Sequence, residues 1–382
     1  MKAFLSVLLV SLVALSGVGL VHASSPPTTI SVGTEATGVA YNPTNGGVYV
    51  VQPVGGSISV ISDSNSSVVT QVTGLTNSPQ SIAYDSGKGE MYVCESGGGN
   101  GLGGVDVINA SNKIVANIPF LKGCTSITYD SGKGELWVNQ AYNTGVSVIS
   151  DISNAVVENI TTPSYPNALA YDPATGDVYV TALQGANMWV MSDKTNSMAA
   201  TISLGTGQGA VAYDSGLHRI LVENSSSLSE IAENTRTVVS VLNLYKPGAM
   251  AYDSGAGEMF VINGNDIAVI LDRTNSVSGT LSISDGAGLA YDSAHNELFI
   301  STGYDFSVLV VPDSSVVPTT SSTSTTGVVV TTTTTTQTST TPSSGKSGGG
   351  VPEFPYQLLT AAVFTALIAV SYLAVRTRGK RQ

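Results

Sequence analysis

One stretch repeated along the chain limits what this protein can fold into. It reads SIAYDSGKGEMYVCE from Ser81, SITYDSGKGELWVNQ from Ser126 and ALAYDPATGDVYVTA from Ala168, with looser copies from Gly38, Ala210, Ala249 and Gly288. The tyrosine of each copy falls at Tyr41, Tyr84, Tyr129, Tyr171, Tyr213, Tyr252 and Tyr291. A period of about 40 residues with strand-like contents implies one supersecondary unit per repeat, stacked side by side, and predicts a β-propeller with one blade per repeat.

Each repeat parses into four short strands. In the second, strand a is predicted over 81–84, b over 90–94, c over 105–108 and d over 114–118, which ends b at Cys94. Between a and b lies Asp-Ser-Gly-Lys-Gly, or Asp-Pro-Ala-Thr-Gly in the fourth repeat. Asp supplies an Asx-turn, Pro or Ser suits the next position, and Gly accepts positive φ, so the connection is a hairpin. Ile82 and Tyr84 share one face of strand a while Ala83 holds the other. Large residues on one face and a small one on the other let neighbouring blades interlock, so no repeat buries its faces alone.

Seven a–b hairpins are present, yet the seventh repeat stops after strand c, over 306–311. Before the first strand a comes Thr28-Thr29-Ile30-Ser31-Val32-Gly33, which matches the strand d segment Ala200-Thr201-Ile202-Ser203-Leu204-Gly205. The expected fold is all-β: a seven-bladed propeller of four-stranded blades over 24–314, closed by this N-terminal strand. The alternative is a frayed seventh blade.

The segments Val48-Tyr49-Val50, Met91-Tyr92-Val93 and Val178-Tyr179-Val180 each sit in an Ala-Tyr-Asp or Ala-Tyr-Asn context. They resemble the YVTN-type propeller repeats of archaeal and bacterial surface proteins. The likeness covers about Thr28 to Asp313, with the tetrad itself kept in part at Tyr179-Val180-Thr181 and at Phe260-Val261-Ile262-Asn263. The resemblance implies the fold and a surface role. It does not name a ligand, because such rings carry many functions.

The flanks fit export. Residues 1–23 read as a signal peptide: Lys2, an apolar run, then Val21-His22-Ala23 with small residues at the cleavage positions. The long apolar run leaves an uncleaved anchor as the alternative. Residues 315–350 form a Thr/Ser-rich stretch resembling an O-glycosylated stalk, able to reach about 100 Å if extended. Tyr356–Val375 is an uncharged apolar run long enough to cross a bilayer as one helix, and Arg376, Arg378, Lys380 and Arg381 follow it. That basic end is expected in the cytoplasm, with the ring outside. Val351-Pro352-Glu353-Phe354-Pro355, the span and the basic tail together resemble the C-terminal sorting signals of archaeal surface proteins, in which a lipid replaces the span. A plain membrane anchor is the alternative.

Chemistry is sparse. The net charge of −12 argues against nucleic acid, whose phosphates need a basic surface. Outside the signal the histidines are His218 and His295, both in a–b turns, on the rim opposite the d–a and b–c loops. No catalytic, metal or cofactor role is expected of them, and this weighs against the propeller lyases, whose activity uses histidine and a metal. Gly99-Asn100-Gly101-Leu102-Gly103-Gly104 matches G-x-G-x-x-G but precedes a strand rather than a helix, so it reads as a b–c loop. Asp85, Asp130, Asp172, Asp214, Asp253 and Asp292 lack the density of a calcium loop and are read as turn residues.

In an exported chain Cys94 and Cys124 are a candidate disulfide. Cys94 precedes a b–c loop and Cys124 lies in the next d–a loop, on one rim of adjacent blades. Closing that loop stabilises by about 3 kcal/mol in the chain-entropy model. Two buried free thiols are the alternative. Asn65, Asn109, Asn159 and Asn224 open N-x-S/T sequons and are candidate glycosylation sites, expected at turns, strand ends or loops.

The expected function is a cell-surface module; an enzyme would instead gather charged or histidine side chains at the loop face. Loops such as Asn77–Gln80, Tyr165–Asn167 and Gln184–Asn187 are polar and aromatic instead. They suit a protein or glycan partner bound by a monomeric, non-enzymatic ring. An extracellular enzyme of the propeller-lyase kind is the alternative.

Overall fold

A computed structural model of the chain describes residues 26–97, 103–120, 123–141 and 143–313. The predicted signal peptide, stalk, sorting motif and membrane span lie outside the described residues, as does the b–c loop at 98–102. Among the described residues no helix is long and apolar enough to cross a membrane.

The described residues form seven four-stranded antiparallel sheets arranged as the blades of a propeller. Blade 1 covers 39–72, blade 2 78–120, blade 3 127–161, blade 4 166–203, blade 5 208–243, blade 6 247–282 and blade 7 286–312. In blades 1 to 6 the four strands follow one another in chain order from the inside outwards. Blade 7 takes its fourth strand from Thr28–Ser31, which runs antiparallel to Ser307–Pro312 with Ile30 opposite Val308. The N–H groups of Val32 and Gly33 continue this contact to the carbonyl of Phe306.

Turn chemistry sets the hairpins. The carboxylate of Asp85 accepts the N–H groups of Gly87 and Lys88, and that of Asp130 accepts those of Gly132 and Lys133. The turns then close on a residue with positive φ: Gly89, Gly134 and Gly176 at 71°, 68° and 76°. Blades 5 and 7 place His218 and Asn296 at that position, both at 54°, a conformation that glycine adopts at lower cost. The c–d pairing carries a bulge at the same place in blades 1 to 6, for example between Val148 and Ile149, which adds twist towards the outer edge.

The core is divided among the blade junctions. Tyr49, Val51 and Ile58 of blade 1 pack on Ile82, Met91 and Val93 of blade 2, and each later junction repeats the arrangement. The last junction joins Ile30, Phe299 and Val308 to Val48, Val50 and Ile61. Tyr49, Tyr92, Trp137, Tyr179, Phe260 and Phe299 occupy one register of strand b and are fully buried. Blade 5 has Leu221 there. Because each cluster needs two blades, stability is shared round the ring rather than held in any one repeat.

Strand b of blade 2 runs from Glu90 to Ser96, two residues further than its sequence suggested. Cys94 is therefore inside the strand and not at its end. The extension follows from continued pairing of Glu95 with Pro79 and Gly104.

Candidate binding face

The d–a and b–c loops meet on one rim, where large apolar side chains stand exposed. Tyr165 and Leu183 come from blade 4's two loops, tied by the Leu183 N–H to Tyr165 C=O bond of 2.9 Å. Tyr245 precedes blade 6 and is 71% exposed; Tyr304 in the b–c loop of blade 7 is 81% exposed, with Phe306 beside it. Val54 adds an aliphatic group from blade 1.

These groups are held by their loops. Asn263 accepts the N–H groups of Tyr245 and Lys246 at 2.7 and 3.2 Å, and the Tyr245 ring lies where a side chain on Gly264 would stand. The Lys246 ammonium sits 5.4 Å from the centre of the Tyr245 ring, a cation–π distance. The Tyr304 N–H donates to Asp285 at 2.7 Å, while Ser284 donates to Asp305 at 2.8 Å across the same loop pair. Phe306 adopts φ of 52°, and its carbonyl receives the N-terminal segment described above.

Near the inner strands lies a cavity of about 280 Å³, walled by Thr37–Val39, Gln80, Ser81, Thr125, Ala249 and Ala287–Leu289. Gly288 is required in this wall, since a Cβ there would stand 2.2 Å from the Thr37 carbonyl oxygen. None of these lining side chains is ionisable.

Glu95 and Asp106 are both buried in blade 2. Asp106 accepts from Thr76 N–H at 3.0 Å and Asn117 Nδ2 at 2.6 Å; Glu95 Oε2 accepts from Asn77 N–H at 3.0 Å. Burial, then the neighbouring Asp106 charge, pushes the Glu95 carboxyl up to about 8, so it keeps its proton at neutral pH.

The opposite rim, made by a–b and c–d turns, carries another cavity, about 520 Å³ between blades 4 and 5. Sequence reasoning looked to the d–a and b–c rim only and did not anticipate it. Asp177, Lys194, Glu233 and Arg236 line it, but Arg236 is spent on Asp177 at 2.7 Å and Glu233 accepts from Tyr213 at 3.0 Å.

On this rim the repeated tyrosines bond to turn carboxylates of their own or the preceding blade. Tyr291 of blade 7 donates to Asp253 of blade 6 at 2.8 Å, and Tyr252 donates to Asp272 of its own blade at 2.7 Å. Burial first, then the carboxylates of adjoining turns, raises the hydroxyls of Tyr41, Tyr129, Tyr171, Tyr213, Tyr252 and Tyr291 above the usual phenol range. The turn aspartates thus have a second task that their local sequence did not announce. Both histidines lie on this rim: His218 is 3.3 Å from Glu233, and His295 is 2.8 Å from Asp292.

Cys94 and Cys124 are bonded to each other, with Cα atoms 5.6 Å apart, inside the apolar junction of blades 2 and 3. Asn65 is exposed in a c–d turn, and Asn109 is half-buried in the corresponding turn of blade 2. Asn159 is exposed within strand d of blade 3, Ala155–Thr161, rather than at a turn or strand end. Its Oδ1 accepts from Ser147 and Gln140, which explains its place in the ladder's polar edge. Asn224, at the end of a strand b, donates Nδ2 to the Leu204 carbonyl at 2.7 Å. Sequence reasoning named Tyr165 but missed Tyr245, Tyr304 and Phe306; their place in d–a and b–c loops was the available signal.

The fold and this rim define a class: a seven-bladed β-propeller with an aromatic loop face. No protein-family model matches the chain, and no curated protein matches it by sequence. Among solved structures it is similar to Kuenenia stuttgartiensis hydrazine synthase, with a TM-score of 0.63 and 12% identity. That match covers 73% of this chain and 95% of the other, and at this identity it shows the fold alone.

Proposed function

We propose that this chain is a cell-surface propeller of the YVTN-repeat type that binds a protein or glycan partner without catalysing a reaction. The observation that carries this reading is the group of exposed aromatic side chains Tyr165, Tyr245, Tyr304 and Phe306 on the d–a and b–c rim. Aromatic rings supply large contact area at low entropic cost and are favoured where proteins bind partners. The cavity near the inner strands is lined by neutral side chains, which suits recognition by contact rather than acid–base chemistry.

The sequence places this ring before a Thr/Ser-rich stretch, an apolar run and a basic end, which supports anchoring at the C-terminus on the outer face of the membrane. The anchor is the apolar run itself or a lipid that replaces it after sorting. The N-terminal strand closes the ring, so that the binding rim stays in one arrangement. The ring acts as a monomer, and its acidity turns away nucleic acid.

The second reading is the one left open by the sequence, an extracellular enzyme of the propeller-lyase kind. The two part on one experiment. Oligosaccharides and peptides from the native envelope are titrated against wild type and the variant Tyr245→Ala/Tyr304→Ala. Binding without turnover, lost in the variant, supports the module; product formation from a bound saccharide supports the enzyme.

A further inference from the structure

The junction of blades 7 and 1 holds a cluster found at none of the other blade junctions among the described residues. Asp63 of blade 1 and Asp292 and His295 of blade 7 bring one ligand atom each to within 4.8 Å of one another. We propose that these three side chains bind a borderline divalent metal ion of the Zn²⁺ class, which clasps the first blade to the last.

The separations fit such an ion. His295 Nδ1 lies 2.8 Å from Asp292 Oδ2 and 3.7 Å from Asp63 Oδ2. Tetrahedral zinc, with bonds of about 2.0–2.1 Å to nitrogen and carboxylate oxygen, puts its ligand atoms roughly 3.3–3.4 Å apart. Each observed separation differs from that edge by about half an ångström, within the reach of side-chain rotation.

The ligands are also positioned from behind. Asp292 is fully buried, and its Oδ1 accepts the Ala294 N–H at 2.8 Å, leaving Oδ2 to face His295. Tyr41 donates to Asp63 Oδ2 at 3.0 Å, while the Asp63 N–H holds the Gly46 carbonyl at 2.9 Å. Such outer hydrogen bonds orient metal ligands. His295 is 42% exposed, which leaves a path for the ion and a position for water.

Charge points the same way. Glu297 pairs with Asp292 across the hairpin, and its Oε2 is buried without a hydrogen-bond partner among the described residues. Three carboxyl groups therefore surround one imidazole. Blades 2 and 3 put Lys88 and Lys133 where blade 7 has His295, and Lys133 bridges to the Asp193 carbonyl of the next blade at 2.7 Å. A lysine supplies a fixed cation; a histidine at that place supplies a metal ligand.

This comparison gives the test. Untagged full-length protein is stripped with chelator and melted at pH 7.5 with increasing Zn²⁺, and bound zinc is counted by elemental analysis. Wild type should hold one zinc per chain and gain about 4–5 °C at a hundredfold excess of free ion over Kd. His295→Lys should keep the metal-free melting temperature near that of wild type and lose both the zinc and the shift. Asp63→Asn should lose the shift as well. No zinc in wild type, or an equal shift in His295→Lys, would overturn the proposal and leave a histidine–carboxylate ion pair at this junction.

Discussion

Replacing Ile30 by Ala probes whether the N-terminal strand is a working part of blade 7. Ile30 is 7% exposed and packs among Phe299, Val308 and Val48. Its counterpart Ile202, in strand d of blade 4, is 6% exposed and faces Met188 as Ile30 faces Val308. Truncating a buried isoleucine to alanine costs about 2–5 kcal/mol. A ring of roughly 285 residues unfolds with an entropy near 0.6 kcal/mol/K, so the melting temperature should drop by about 3–8 °C. Ile30→Ala and Ile202→Ala should fall by similar amounts in differential scanning calorimetry, each in one cooperative transition. Ile202→Ala lowering the temperature while Ile30→Ala leaves it within about 1 °C would refute the reasoning, because the N-terminal strand would then lie outside the cooperative unit.

Three further outcomes follow. Reducing the Cys94–Cys124 bond, which closes a loop of sequence separation 30, should lower stability by about 3–4 kcal/mol in denaturant titrations, and thiol labelling of unreduced, denatured chain should find no free thiol. Glu95 has a folded-state carboxyl raised to about 8, so its protonation favours the fold at low pH, and that contribution should fade as pH rises from about 4.5 through 8. Glu95→Gln, the residue that blades 1 and 3 carry as Gln52 and Gln140, should flatten the stability profile over that window; an unchanged slope would exclude Glu95 as its source. In protein isolated from its native cells, mass spectrometry should find Asn65 glycosylated ahead of Asn224, whose Nδ2 must first release the Leu204 carbonyl; the reverse order would contradict that reading.

Blade number and turn chemistry were legible because they are local. The Asp-Ser-Gly-Lys-Gly turn of blade 2 carries its own Asx bonds and its own positive-φ glycine, so fifteen residues suffice to recognise it. The tyrosine of the same repeat was legible only as a strand residue. Tyr291 reaches Asp253, a full repeat earlier, and that contact exists only once two blades are side by side. The end of strand b in blade 2 was misplaced for a similar reason, since pairing to Pro79 and Gly104 carries it on to Ser96. The binding rim was half legible. Its loops could be assigned, but the exposure of Tyr245 and Tyr304 depends on bonds from Asn263 and Asp285, which lie in other segments and meet them only in the folded ring.

The most direct test of the binding rim is to place a photo-activated cross-linking residue at Tyr304 and, in a second protein, at Thr235 on the opposite rim, and to irradiate intact cells. The account predicts one discrete adduct to a protein or glycan from position 304, absent when Tyr245 is also changed to Ala, and none from position 235. Adducts from position 235 alone would contradict it and move the binding site to the a–b and c–d turns.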